Sequence, residues 1–158
     1  MKLKGEYYMK VWRAQKGDSE ILAKLFAELT THLKKVTKKK VVSTALNKTK
    51  DLLKSDKLKG KKIVLVAGEK KKIRGFLIGY ILDMDLYKIA VIDDIFVSKE
   101  QRKKGLGNEL VNSFIKECRK HKIKTIFAIT PQKNNIAREF FKRFGFKQLP
   151  SAHLYLKT

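Results

Sequence analysis

Ile92-Asp93-Asp94-Ile95-Phe96-Val97-Ser98-Lys99-Glu100-Gln101-Arg102-Lys103-Lys104-Gly105-Leu106-Gly107 is the stretch on which the fold turns. Its first six residues read as a strand interrupted by two carboxylates. A polar loop with two glycines follows. From Gly105 onward, Leu106, Leu110, Val111, Phe114, Ile115 and Cys118 mark one face of a helix. A strand that runs through a glycine loop into a helix start suits an anion. The first turn of a helix presents amides without intrahelical partners and a partial positive charge. Gly105 and Gly107 allow close approach of the backbone to a phosphate because no Cβ intervenes. Arg102, Lys103 and Lys104 add formal charge. Basic glycine loops also end ordinary strands, so this loop alone does not name a ligand.

Working outward, Lys61 to Gly68, Ile73 to Asp83 and Tyr87 to Val97 predict three strands. Their connections are too short for parallel crossovers, so they form an antiparallel meander. Before them, Tyr7 to Arg13 predicts a first strand. Gly17-Asp18-Ser19 predicts a helix start, followed by Ile21, Leu22, Leu25, Phe26 and Leu29 at helical spacing. A second helical region covers most of Thr31 to Leu53. Downstream, Ile123 to Thr130 is a strand. Asn134 or Asn135 caps a short helix that buries Ile136, Ala137, Phe140, Phe141 and Phe144, and Gly145 ends it. Phe146 to Leu149 and Ala152 to Leu156 predict closing strands. Strand, helix, strand over residues 89–130 predicts a right-handed parallel crossover. No repeat or low-complexity linker divides the chain, and 158 residues suit one core, so residues 1–158 read as a single domain.

Composition narrows the function classes. A hydrophobic fraction of 43% is too high for a disordered chain. No apolar run approaches the roughly 20 residues of a membrane helix. Met1 to Glu6 carries charge with no apolar stretch after it, unlike a signal peptide, so a cytoplasmic protein with no membrane association is expected. The single cysteine, Cys118, fits a reducing compartment and lies on an apolar helix face. His32, His121 and His153 are isolated, so no metal site is expected. Lys+Arg is 38 against Asp+Glu 15, a net charge of +23. Such a field attracts nucleic acid, acidic proteins or phosphate-rich ligands, although a lysine-rich proteome accounts for it equally well. Twelve lysines against Asp51 and Asp56 cluster between Lys34 and Lys62, interrupted by Val36, Val41, Leu46 and Leu53, as in a helix with one buried side.

Ile92-Asp93-Asp94-Ile95-Phe96-Val97 followed by Arg102-x-x-Gly105-x-Gly107 closely resembles the acetyl-CoA-binding motif of the GNAT superfamily of N-acetyltransferases. Asn134, Ala137, Phe140-Phe141 and Phe144-Gly145-Phe146 look like the family's later helix and its "GF" turn. The resemblance covers about residues 7–157 and is strongest from 92 to 147. It implies an α/β (α+β) fold: a mixed, mostly antiparallel central sheet flanked by helices and splayed beside the phosphate loop. It implies acetyl-CoA as cosubstrate and acetyl transfer to a primary amine by direct attack. The pantetheine arm would pair with backbone groups of Ile95 and Val97, which flank Phe96. The pyrophosphate would sit on amides of Arg102, Lys103, Lys104, Gly105, Leu106 and Gly107. Asn134 would contact the cofactor arm, and it is equally a helix cap.

The chemistry needs a deprotonated amine. Asp93 and Asp94 are the candidate acid–base residues. Adjacent strand residues face opposite sides, so only one is expected to face the gap. Asp93 matches the acidic residue that polyamine-type members of the family use as a base, and desolvation there would raise its pKa. Either aspartate could instead simply pair with lysines. Glu69 and Asp85 read as turn residues. The family's usual acid is a tyrosine seven residues after the asparagine. Here that place holds Phe141, grouped with the cofactor-binding residues, so water, Tyr155 or His153 would have to serve. In the family the acceptor lies near the first two helices. In this chain those helices carry the lysine cluster, which points to an acceptor with acidic surroundings: an acidic protein's lysine or N-terminus, or an RNA-linked amine, rather than a free polyamine. The alternative is an acyl-CoA-sensing or nucleic-acid-binding regulatory module with little turnover. A monomer and a homodimer both remain open.

Overall fold

The computed structural model describes residues 9–37, 60–69 and 72–149. Several expectations lie outside these residues: the start of the first strand, most of the second helical region with its lysines, the last closing strand, and His153 and Tyr155. Strand β1 is Lys10–Arg13, helix α1 is Ser19–Thr37, β2 is Gly60–Glu69, β3 is Lys72–Asp83 and β4 is Lys88–Val97. Helix α2 is Leu106–Lys120, β5 is Thr125–Ala128 and α3 is Asn135–Lys142. The strands form one sheet in the order β1-β2-β3-β4-β5. The first three pairings are antiparallel, and β4–β5 is parallel across α2.

Helix α1 runs unbroken through Thr31, where a second helix was expected to begin. Neither glycine nor proline interrupts residues 19–37. The Thr30 and Thr31 hydroxyls donate back to Phe26 O (2.8 Å) and Ala27 O (2.9 Å), so they are satisfied within the helix and do not end it.

Each sheet face has its own apolar layer. On one side, Leu22, Leu25, Phe26 and Leu29 of α1 cover Val66, Ile73, Phe76, Ile78 and Phe96. On the other, Leu106, Leu110, Val111, Phe114 and Cys118 of α2, with Phe141 of α3, cover Ile63, Leu65, Leu77, Ile81, Ala90 and Ile92. Gly79 is what brings α2 close to the sheet. A Cβ there would stand 2.3 Å from Phe114 Cε2 and 2.8 Å from Val91 O. Cys118 belongs to this core, where burial and the nearby Glu117 charge push its thiol up to about 11.

Two expectations about the last third are corrected. Residues 146–149 form no strand. The chain there closes α3 instead: Gly145 takes φ 85°, its N–H donates to Lys142 O (2.9 Å), and Phe146 N–H donates to Phe141 O (3.3 Å). Ile136 was expected in the core but is 78% exposed. It lies in the first turn of α3. The apolar stripe of α3 runs instead through Ala137, Phe140, Phe141 and Phe144.

Glu117 of α2 ties the sheet to the helix layer by charge. It accepts from Arg13 of β1 at 2.6 Å and from Lys120 at 3.3 Å, with Lys61 of β2 at 3.7 Å. Burial alone would raise its pKa, but the hydrogen bonds from Arg13 and Lys120 override it and hold it at about 2. A carboxyl depressed in the fold stabilises above its unfolded pKa and loses that contribution as pH falls toward the folded one. Glu117→Gln is therefore expected to cost about 1–2 kcal/mol at pH 7, discounted for the solvent around its partners. The cost should vanish near pH 2, as read by urea unfolding at several pH values. Gly79→Ala should cost about 3 kcal/mol by driving Phe114 off the sheet, visible as a fall in the urea midpoint.

Candidate active site

The site is built where β4 outruns β5. β5 pairs with β4 over Ile89 to Ile92, and Ile129 N–H adds one bond to Ile92 O at 3.0 Å. Beyond Ile92, β4 continues to Val97 against β3 alone among the described strands. Ser98 N–H donates to Arg74 O at 2.8 Å, which fixes the alternation of the β3–β4 ladder. Bonded and non-bonded pairs alternate in an antiparallel ladder. Phe96 opposite Phe76 is thus a bonded pair, whereas Ile95 opposite Leu77 and Val97 opposite Gly75 are non-bonded pairs. The N–H and C=O groups of Ile95 and Val97 consequently point away from β3, into the gap that β5 leaves. Arg102 Nε–H donates to Val97 O at 3.1 Å from that side.

The side chains divide between the faces. Ile95 and Val97 pack toward α2. Phe96 lies under α1, its ring tilted against Phe76 with centroids 6.1 Å apart. The carboxylates depart from simple alternation. Register runs from Gly79 opposite Ile92 directly to Ile78 opposite Asp94. β4 therefore takes one residue more than β3, and Asp93 and Asp94 together face Ile78, as in a β-bulge. The expectation that the two carboxylates point to opposite faces is corrected by this bulge. Both charges act on the Tyr80 hydroxyl of β3, on the α1 face: its pKa is raised by burial first, then by Asp93, then by Asp94. Among the described residues, Asp93 is exposed and Asp94 half-buried.

The loop after β4 makes one 3-10 turn at Lys99–Gln101 and then turns sharply. Lys103 (φ 63°) and Gly105 (φ 86°) both take left-handed backbone. The first bond of α2 is Glu109 N–H to Gly105 O at 3.1 Å, so the amides of Leu106, Gly107 and Asn108 lie ahead of the ladder. Leu106 offers only its amide, since its side chain is buried in the core. Arg102, Lys103 and Lys104 are exposed around this turn. The Arg102 guanidinium rests over the Phe96 ring at 5.5 Å. His32 of α1 lies near it: burial, then Arg102, then Lys35, lowers the histidine pKa. A Cβ on Gly107 would meet the Phe140 ring at 3.3 Å, so the start of α2 sits tightly against α3.

Across the gap, Asn134 caps α3 by accepting from Ala137 N–H at 3.2 Å through Oδ1, which leaves its Nδ2 as a donor. Phe141 is buried among Phe140 and Phe146, with ring centroids at 5.3 Å to each. It provides packing and no proton. Tyr80 is the residue that sequence reasoning missed. Its signal was available once the Asp83–Lys88 hairpin sets the register, because a tyrosine then falls beside the paired aspartates. Among the described residues, no group of three or more His, Cys, Asp or Glu is placed to hold a metal ion, and no helix is long and apolar enough to cross a membrane.

Residues 27–146 match the acetyltransferase (GNAT) family. The chain belongs to the GNAT family of acetyltransferases. A search of curated proteins finds no match. Among solved structures, the chain is similar to a ribosomal-protein-alanine N-acetyltransferase from Brucella melitensis biovar Abortus 2308. The TM-score is 0.79 at 17% identity, over 95% of this chain and 100% of that one. It is also similar to an aminoglycoside acetyltransferase from an uncultured soil metagenomic sample (TM-score 0.74, 18% identity, 97% and 98% covered). A transcriptional regulator from Bacillus halodurans C-125 matches as well (0.72, 22%, 96% and 99%). At these identities the likenesses concern the fold. Family membership makes this chain an acetyltransferase, of a family that generally takes acetyl-CoA as cosubstrate and amines as acceptors.

For this GNAT domain, Gly105→Ala puts an L-residue at φ 86°, with nothing within 4 Å to clash. The backbone penalty of about 1–2 kcal/mol should lower Tm by a few degrees. The rise in Tm on adding CoA should shrink as well, because the amides of α2 lose their aim; a thermal-shift series with CoA reads both effects.

Proposed function

We propose that this GNAT domain transfers the acetyl group of acetyl-CoA to a primary amine whose surroundings are acidic, with Asp93 as the base. The observation that carries the reading is the open edge of β4 at Ile95 and Val97, which leads directly into the N-terminus of α2. An extended amide-bearing arm can add to such an edge as a strand does. The residues fit the cosubstrate: edge donors and acceptors for pantetheine, amides from Arg102 to Gly107 for pyrophosphate, and Asn134 Nδ2 on the opposite wall. Arg102 has to release Val97 O for the arm to pair there, and its guanidinium is then available to a phosphate oxygen.

Acetyl-CoA supplies the activated acetyl group, and the chain supplies the rest. Amides on the open β4 edge stabilise the thioester oxygen as it gains charge. Asp93, directly or through water, takes a proton from the incoming ammonium. A bound cosubstrate and acceptor would cover this exposed carboxylate and desolvate it. Phe141 offers no proton to the leaving sulfur. An ordinary thiol pKa of about 8.5 makes the thiolate a tolerable leaving group without one.

The net charge of +23 favours an acceptor with acidic surroundings, such as an acidic protein's lysine or N-terminus or an RNA-linked amine, in the cytoplasm. Turnover of acidic peptides should exceed that of spermidine and fall as salt rises. Strong, salt-independent spermidine turnover would sink the acceptor assignment. Asp93→Asn should lower kcat/KM by roughly a hundredfold while acetyl-CoA affinity by calorimetry is unchanged. Acetyl-CoA binding with no CoA release across the amine panel would instead favour the regulatory module.

A further inference from the structure

The 3-10 turn at Lys99–Gln101 is closed by Gln101 N–H to Ser98 O at 2.9 Å and Arg102 N–H to Lys99 O at 3.3 Å. It brings residue 102 back beside the end of β4. Arg102 itself is extended (φ −66°, ψ 151°), and its side chain returns to the strand that the chain has just left. Nε–H donates to Val97 O at 3.1 Å, and the guanidinium carbon stands 5.5 Å from the centre of the Phe96 ring. Val97 O is one of the groups that point away from β3, so the arginine holds a position on the open edge that a strand-like arm would use. Its partners among the described residues are this carbonyl and the ring face, with no carboxylate. The stronger binding mode of a guanidinium, a two-point contact with charged oxygens, is left unused.

We propose that Arg102 is a specificity-determining residue for the thioester donor: its side chain closes the β4 edge at Val97 and yields it only to a donor that carries phosphate. The inference rests on the reading of this edge as the pantetheine site. An arm that pairs with Val97 O has to displace the Nε–H bond. A donor without phosphate leaves the displaced guanidinium to water. A pyrophosphate beside residues 102–107 offers it charged oxygens in two-point geometry instead. One hydrogen bond changes a binding constant by roughly threefold to tenfold, so the displaced bond is large enough to discriminate between donors. The same exchange links the two halves of the donor. Phosphate that draws Arg102 away frees the edge, and an arm on the edge frees Arg102 for phosphate; by reciprocity the two effects are equal. The site thereby favours CoA thioesters over short acyl thioesters and acyl-pantetheine, through a residue that touches neither the thioester nor the amine.

The test is Arg102→Met, which keeps an apolar stem beside Phe96 and removes every donor. Calorimetry with pantetheine, inorganic pyrophosphate and CoA is the readout. Pantetheine should bind roughly threefold to tenfold more tightly to Arg102→Met than to the wild type. CoA should bind more weakly, because two-point contact with charged oxygens outweighs one bond to a carbonyl. In the wild type, saturating pyrophosphate should tighten pantetheine by roughly threefold or more relative to sodium chloride of equal ionic strength, and in Arg102→Met this coupling should vanish. Damage to the loop would weaken pantetheine and CoA alike and create no such coupling. Arg102→Ala gives the same readout should the methionine variant not fold. Pantetheine bound no more tightly by the variant, including binding too weak to measure in both proteins, overturns the role of Arg102, as does a pyrophosphate effect that survives the substitution. The cosubstrate reading fails separately: CoA that binds neither protein removes the pantetheine site itself, whereas CoA bound by the wild type with pantetheine indifferent to Arg102 overturns the arginine's role alone.

Discussion

Between Ile92 and Asp94, β4 takes one residue more than β3, and most of the site depends on that extra residue. Ile92 faces α2 and Phe96 faces α1, although strict alternation would put both on one side. The bulge makes that exchange possible without breaking the β3–β4 ladder. It also coincides with the place where β5 parts from β4, so the strand that changes parity is the one left with an open edge. Paired backbone beyond Ile92 would have consumed the groups of Ile95 and Val97. The local kink and stronger twist of a bulge direct β4 away from its parallel neighbour.

Around this device the protein separates its charges. The overall field is strongly positive, yet the α1 face beside the gap carries two adjacent carboxylates and a phenol. In the proposed function, the field would act on the surroundings of the acceptor and the carboxylates on its amine. The Arg102 guanidinium of the loop lies over Phe96 of β4, and its charge acts on His32 of α1. On the far side of the sheet, Glu117 locks β1 and β2 to α2, so the helix whose N-terminus faces the gap is anchored at its other end.

The fold is shared with an enzyme for a ribosomal protein, an enzyme for aminoglycosides and a transcriptional regulator, at 17–22% identity. One fold hosts proteins of different described roles, so the function is argued from the site and not from the fold.

Local chemistry wrote much of this into the sequence. The alternation of Ile63 to Val97 determined three antiparallel strands, the glycine spacing at 105 and 107 determined the turn and the start of α2, and Asn134 determined the cap of α3. These features depend on neighbours within a few residues, which is why they are legible. The helix expected to break at Thr31 did not, because its threonines found partners one turn back. Residues 146–149 closed a helix because the Phe146 amide bonded to Phe141. The direction of Asp93 and Asp94, and the presence of Tyr80 beside them, were decided by tertiary structure alone: a bulge is a mismatch between two strands, and its position depends on where both are held by the layers packed against them.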